Sequence, residues 1–171
     1  PSDNPKANSL IIQERAFWAT GLRNPQLIAF QPNTGKIFVN DVGQGAWEEI
    51  NENTTAGLNF GWPSTEGFFN AASFPNFTNP VYAYGHAGNT VGQGCAITGG
   101  TFFSPALTNY GSEYKGNYFF LDFCGNWIDR LVLSTSVVTN KNKSDIKRNI
   151  IKVINFIYQH ILAKQVRFFV T

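Results

Sequence analysis

The chain has 171 residues, 43% hydrophobic and 15% aromatic but only 14% charged, with 16 Gly, 16 Phe and 8 Pro. That length fits one domain or a piece of a larger one, and abundant Gly and aromatics with few charges exclude a helix bundle in favour of β structure with many tight turns. The net charge of +2 hides an asymmetry: residues 1–133 hold six Lys/Arg against ten Asp/Glu, while residues 134–171 hold seven against Asp145 alone. The two segments are therefore read separately, the second as a basic tail with a solvated helix face and no nucleic-acid motif. No run of 18 uncharged apolar residues occurs, so no membrane span is expected. The chain starts with Pro1 and has no Met, as expected of a processed or partial product.

Residues 1–15 are polar and rich in Pro and Asn, and read as loop. Strands are expected at residues 26–30, 36–40 and 47–51, separated by the turn signals Gln31-Pro-Asn-Thr-Gly35 and Val42-Gly-Gln-Gly45. Leu58-Asn-Phe-Gly-Trp62 is read as a short fourth strand stopped by Pro63. Four strands in about 40 residues is the size of one propeller blade. Residues 64–93 follow as a long loop of the kind that often carries function, and Phe68, Phe69, Phe74, Phe77, Tyr82 and Tyr84 make it rich in aromatics that could contact a ligand. Trp18, Trp47, Trp62 and Trp127 are read instead as blade core.

A second strand set is expected at residues 95–103, 117–123 and 127–133. It echoes the first. Ile37-Phe-Val-Asn-Asp41, a Gly turn and Trp47 are matched by Tyr118-Phe-Phe-Leu-Asp122, a Gly turn and Trp127, as consecutive blades should be. Cys95 and Cys124 lie in neighbouring strand segments of this second set, outside any CxxC or Cys/His cluster. Adjacent strands run about 4.8 Å apart, close enough for a disulfide, so a Cys95–Cys124 bond and an oxidising compartment are expected. The sequons at Asn53 and Asn76 fit the same compartment. Beyond residue 133 Gly and Pro disappear. Ser144 and Asp145 can cap a helix, and Ile146, Ile150, Val153, Ile154, Ile157 and Ile161 recur near helical spacing, which predicts an amphipathic helix over residues 145–163.

Several segments, taken in order, resemble the soluble glucose/sorbosone dehydrogenase family. They are Trp18-Ala-Thr-Gly-Leu-Arg-Asn-Pro25, Asn40-Asp-Val-Gly-Gln-Gly-Ala-Trp-Glu-Glu-Ile-Asn51, Gly57-Leu-Asn-Phe-Gly-Trp-Pro63, Pro80-Val-Tyr-Ala-Tyr-Gly-His86, Ala96-Ile-Thr-Gly-Gly100 and Gly116-Asn-Tyr-Phe-Phe-Leu-Asp122. The resemblance covers residues 1–133, and hedgehog-interacting protein, a binding protein, shares it. It implies an all-β fold, a partial six-bladed β-propeller of about two to three blades, with the C-terminal helix outside the match. It also implies a secreted or periplasmic sugar oxidoreductase that carries the quinone PQQ and calcium (Ca2+). A non-catalytic propeller binding module is the alternative, and these 171 residues are not expected to catalyse alone.

The resemblance places Arg23 and Asn24 at the quinone, where a guanidinium fork suits the carboxylates and carbonyl oxygens of PQQ. The plain alternative is an Arg paired with an acid and an Asn capping a turn. Gly43 and Gln44 match the turn whose backbone carbonyls ligate calcium, a hard cation that takes such oxygens; an ordinary hairpin turn is the alternative. Many calcium-binding members have Pro where this chain has Gln44. Asp41, Glu48 and Glu49 flank the turn as supporting acids, although adjacent Glu48 and Glu49 must face opposite ways on a strand. The family's His base belongs to an earlier blade, so neither His86 nor His160 is assigned that role.

Overall fold

The computed structural model describes residues 4–86 and 93–133 and the backbone of residues 138–140. Period-two alternation organises what is seen. In β1 (Pro25–Phe30), β2 (Ile37–Asp41), β3 (Trp47–Asn53) and β4 (Tyr82–Gly85), every second side chain turns toward a second sheet. That sheet is β5 (Ile97–Phe102), β6 (Tyr118–Asp122), β7 (Trp127–Leu133) and β8 (Val138–Asn140). Each sheet is an antiparallel meander in chain order, β1-β2-β3-β4 and β5-β6-β7-β8. The sheets stack face to face with β1 closest to β5, as neighbouring blades of a propeller do.

The seam between them is the core. Phe38, Ile50, Tyr82 and Tyr84 from the first sheet meet Ile97, Tyr118, Phe120 and Leu131 from the second, all buried. Each such side chain contributes about 1.5–3 kcal/mol through the water it sheds. The seam is also polar. Asn40 donates through Nδ2 to the Gly99 carbonyl (2.9 Å) and accepts from the Tyr118 hydroxyl (2.9 Å). A Cβ on Gly100 would run into the Tyr118 hydroxyl of its own sheet and into Asn40 Nδ2 of the facing blade, so glycine lets the blades approach here. On the far face of the second sheet, Phe103 and Phe119 form a smaller cluster with Tyr110 and Tyr114, and the Arg130 guanidinium lies 4.5 Å over the Tyr114 ring.

Two sequence expectations are corrected. Residues 58–62 do not complete the first blade; Tyr82–Gly85 does, pairing with β3 from Trp47↔Gly85 to Ile50↔Tyr82. The reason is local backbone geometry: Gly57 (φ 87°) and Gly61 (φ 97°) adopt left-handed conformations that break a pleated run. What remains there is a single parallel bridge, Thr20↔Asn59. It follows that Tyr82 and Tyr84 are strand residues of the core, not loop aromatics, and burial pushes the Tyr82 phenol up to about 12. The second blade takes its fourth strand from Val138–Asn140, which pairs with β7 beyond residue 133. The helix expected over residues 145–163 lies outside the described residues.

Cys95 and Cys124 form a disulfide with a Cα–Cα distance of 5.5 Å, joining the entry of β5 to the turn after β6. It closes a loop of sequence separation 29. Reduction is expected to lower stability by about 3.6 kcal/mol on the loop-entropy model, read as a fall in the urea midpoint with dithiothreitol. An unchanged midpoint would show that the bond adds nothing. Of the two sequons within the described residues, Asn76 is exposed but Asn53 is buried at the end of β3, so among the described residues only Asn76 offers an accessible acceptor. No helix among the described residues is long and apolar enough to cross a membrane.

Candidate functional site

Arg23 and Asn24 stand just before β1, where Pro25 opens the strand without needing a donor. Their backbone is fixed by Asp41 at the end of β2. Asp41 Oδ2 accepts from the Arg23 N–H (2.9 Å) and Oδ1 from the Asn24 N–H (2.7 Å). Burial pushes the Asp41 carboxyl above the usual carboxylate range, and these two N–H bonds and the nearby guanidinium only partly offset it.

The Arg23 side chain turns onto the β2–β3 turn. Nε donates to Gln44 Oε1 (2.9 Å), and Nη1 donates to the carbonyls of Gly43 (2.6 Å) and Val42 (3.2 Å). The guanidinium also lies 6.0 Å from the Trp62 ring centroid. The structure therefore brings Arg23, Gly43 and Gln44 into contact, with Asn24 beside them and exposed. The Arg23 backbone N–H meets the Asp41 carboxylate, while its guanidinium faces carbonyls of the turn.

The other side of the same turn meets a residue that sequence reasoning missed. Glu66 Oε1 accepts the N–H groups of Gln44 (2.8 Å), Gly45 (3.2 Å), Ala46 (3.0 Å) and Trp47 (3.1 Å). Partial burial pushes the Glu66 carboxyl up, but the four N–H groups outweigh it and hold the group below its ordinary value. A Cβ on Gly43 would collide with the Trp47 carbonyl and with Glu66 Oε1, so glycine is required there by space. No motif announces Glu66, because its partners lie 19 to 22 residues earlier in the chain.

Glu48 and Glu49 face opposite ways, as strand geometry demands. Glu49 Oε1 accepts from the Gly67 N–H and Oε2 from Asn51 Nδ2 (3.0 Å), on the side that carries Glu66. Glu48 enters the seam between the blades, accepting from the Ile97 N–H (2.9 Å) and lying 2.5 Å from His86 Nε2. Glu48 thus belongs to blade packing and not to the turn. Asp122 repeats the role of Asp41 one blade later, accepting from Cys95 N–H (3.1 Å) and Ala96 N–H (3.1 Å) at the entry of β5. It also holds the Tyr84 hydroxyl (2.7 Å) across the seam.

The remaining aromatics divide. Phe69, Phe74 and Phe77 pack on one another at centroid distances of 5.6–6.2 Å, whereas Phe68 is exposed. Trp127 packs on Tyr84 and Phe120. Trp62, read as core, instead stands beside Arg23.

Residues 1–154 match the family model for Glucose / Sorbosone dehydrogenase. The chain belongs to the glucose/sorbosone dehydrogenase family. Among its relatives, the HIPL2 protein of Arabidopsis thaliana is 31% identical over 74% of this chain and 19% of its own length. Quinoprotein glucose dehydrogenase B of Acinetobacter calcoaceticus is 29% identical over 69% of this chain and 26% of its own. The chain thus spans about a fifth to a quarter of these relatives. The fold matches the soluble aldose sugar dehydrogenase of Escherichia coli in its apo-form, with a TM-score of 0.64 at 20% identity over 87% of this chain and 42% of that one. It also matches the PQQ-bound aldose sugar dehydrogenase of Streptomyces coelicolor, with a TM-score of 0.54 at 21% identity over 72% and 30%. The two sheets are accordingly two blades of a β-propeller.

Proposed function

We propose that the chain forms one sector of a secreted or periplasmic, PQQ- and calcium-dependent oxidoreductase that oxidises an aldose or a similar sugar alcohol group. The observation that carries this reading is the single cluster made by Arg23, Asn24, Gly43 and Gln44, at the chain positions that match the family's cofactor contacts. The donor set suits the groups. The carbonyls of Val42 and Gly43 already converge on a cation, the Arg23 guanidinium, which stands in for a metal ion. The exposed Asn24 amide and the Arg23 fork suit the oxygens of a tricarboxylate quinone.

When bound, PQQ would supply two-electron acceptance from the alcohol carbon, and calcium would supply positive charge that stabilises the developing negative charge. The chain's own residues bind and orient. The Gly43 and Gln44 carbonyls would hold the metal, and Arg23 and Asn24 would hold the quinone edge. Asp41 fixes the backbone from which both side chains leave. The resemblance assigns the proton base to an earlier blade, and His86 is engaged with Glu48.

Titrating the isolated chain with PQQ and calcium, followed by quinone absorbance, tests the reading. Weak, calcium-dependent binding without sugar-dependent dye reduction is expected, because two blades supply only part of the ring around a propeller axis. Tight stoichiometric binding with dye reduction would show that these residues suffice alone. Binding indifferent to calcium would remove Gly43 and Gln44 from the assignment. A second reading, a non-catalytic binding module, draws on the likeness to the HIPL2 protein of Arabidopsis thaliana. The complete absence of PQQ binding would favour it.

A further inference from the structure

We propose that Glu66 is the positioning residue of the metal-binding turn: by gathering four consecutive backbone N–H groups on one oxygen, it aims the Gly43 and Gln44 carbonyls outward at a cation. This rests on the reading of that turn as a metal ligand. The argument is stereochemical. In a trans peptide unit the N–H of one residue and the C=O of the residue before it point in opposite directions, and the only cis peptide bond among the described residues, Trp62–Pro63, lies outside the turn. With the N–H groups of Gln44 and Gly45 on Glu66 Oε1, the carbonyls of Gly43 and Gln44 must face away from it. The Gly43 carbonyl does so, meeting Arg23 Nη1 at 2.6 Å on the opposite side.

A charged oxygen suits this task, because converging N–H dipoles form an anion nest that a neutral acceptor fills less strongly. Glu66 is itself seated by its neighbour. Gly67 donates its N–H to Glu49 Oε1 and packs its backbone, at φ 75°, against the Trp47 ring, where a Cβ would collide. Glu49, Gly67 and Glu66 thus form a brace between the β3 strand and the turn that precedes it. Glu66 touches no candidate ligand through a carbonyl and acts only through the peptide planes.

The test compares the wild-type chain with Glu66→Ala and Glu66→Gln. Terbium serves as the metal probe, its luminescence sensitised by Trp47 and Trp62 and displaced by calcium, and amide hydrogen exchange is read at residues 44–47. In Glu66→Ala, exchange at those four amides is expected to rise about 100-fold while Val39 and Ile50 in β2 and β3 stay protected. Terbium affinity should fall about tenfold. Glu66→Gln, which keeps the acceptor oxygen without its charge, should fall between. A wild-type chain that binds terbium no better than a folded Glu66→Ala variant overturns the proposal and leaves the metal reading intact. Absence of calcium-displaceable terbium on the wild type overturns the metal reading itself. Unchanged exchange at residues 44–47 in Glu66→Ala overturns the placement of Glu66 whatever the metal does.

Discussion

Arg23→Ala is expected to weaken PQQ binding about 100-fold, the loss of two charge-assisted contacts, and at the same time to raise calcium affinity about tenfold by removing a like charge. The opposite signs follow from where the guanidinium sits. Its Nη1 donates to the Gly43 and Val42 carbonyls, and its Nε donates to the Gln44 side chain. On the proposed reading, a calcium ion taking the Gly43 carbonyl would displace the Arg23 guanidinium from it, leaving the fork free for a carboxylate. Metal and quinone binding would therefore, on that reading, be coupled through one side chain. Arg23→Lys separates charge from shape, since it keeps the positive charge but loses the planar fork. It should lose quinone affinity without gaining calcium affinity. Calorimetric titration of the three proteins reads both effects. A fall in calcium affinity in Arg23→Ala would show that the guanidinium supports the metal instead of competing with it.

The second large effect concerns the seam. Glu48 is fully buried, with 0% exposure, and links three elements through His86 after β4 and the Ile97 N–H of β5. Glu48→Ala leaves that N–H and the His86 ring nitrogen facing a void between blades, a loss of about 3 kcal/mol or more. Glu48→Gln retains an acceptor and should lose less. The urea midpoint measures both, and an alanine variant within 1 kcal/mol (about fivefold in the folding constant) would show that the seam tolerates the vacancy.

The same residue sets a pH dependence. Burial raises the Glu48 carboxyl above its ordinary 4.5, outweighing the Ile97 and His86 bonds, and burial likewise raises Asp41 and Glu49. A raised carboxyl binds its proton more tightly in the folded state. Its stabilising contribution is complete below the unfolded value and is lost as pH rises through the folded one. Stability should therefore decline as pH rises above about 4.5. Glu66, held below its ordinary value, acts in the opposite sense, losing its contribution as pH falls through its lowered value. Thermal unfolding across this range should show a shallower decline above about 4.5 in Glu48→Gln.

The echo between the strand sets has a structural meaning. Asp41 and Asp122 end the second strand of each blade, and each captures two consecutive N–H groups at the entry of the first strand, at Arg23–Asn24 and at Cys95–Ala96. Arg23 then corresponds to Cys95, and Gly43 to Cys124. The arginine–carbonyl contact of one blade occupies the place of the disulfide in the next. One position pair closes the turn covalently, and the other closes it with a fork that can be displaced.

Alternation and turn chemistry in the sequence alone determined six of the strands, the β1–β2 and β2–β3 turns and the disulfide partners, because these rest on residues a few positions apart or on strands adjacent in the chain. Only the tertiary structure decided that Tyr82–Gly85 and not residues 58–62 closes the first blade. A four-residue strand declares its place only by pairing, and the left-handed glycines that bar the rival segment are invisible in composition. The tertiary structure also separated adjacent acids by role, sending Glu48 to the seam and Glu49 to the brace. Glu66 is the clearest case. Its meaning lies in four peptide planes it meets after the chain has doubled back. A side chain that works through backbone N–H groups leaves no mark on the side chains it serves, so no pattern of residue types along the chain could disclose it.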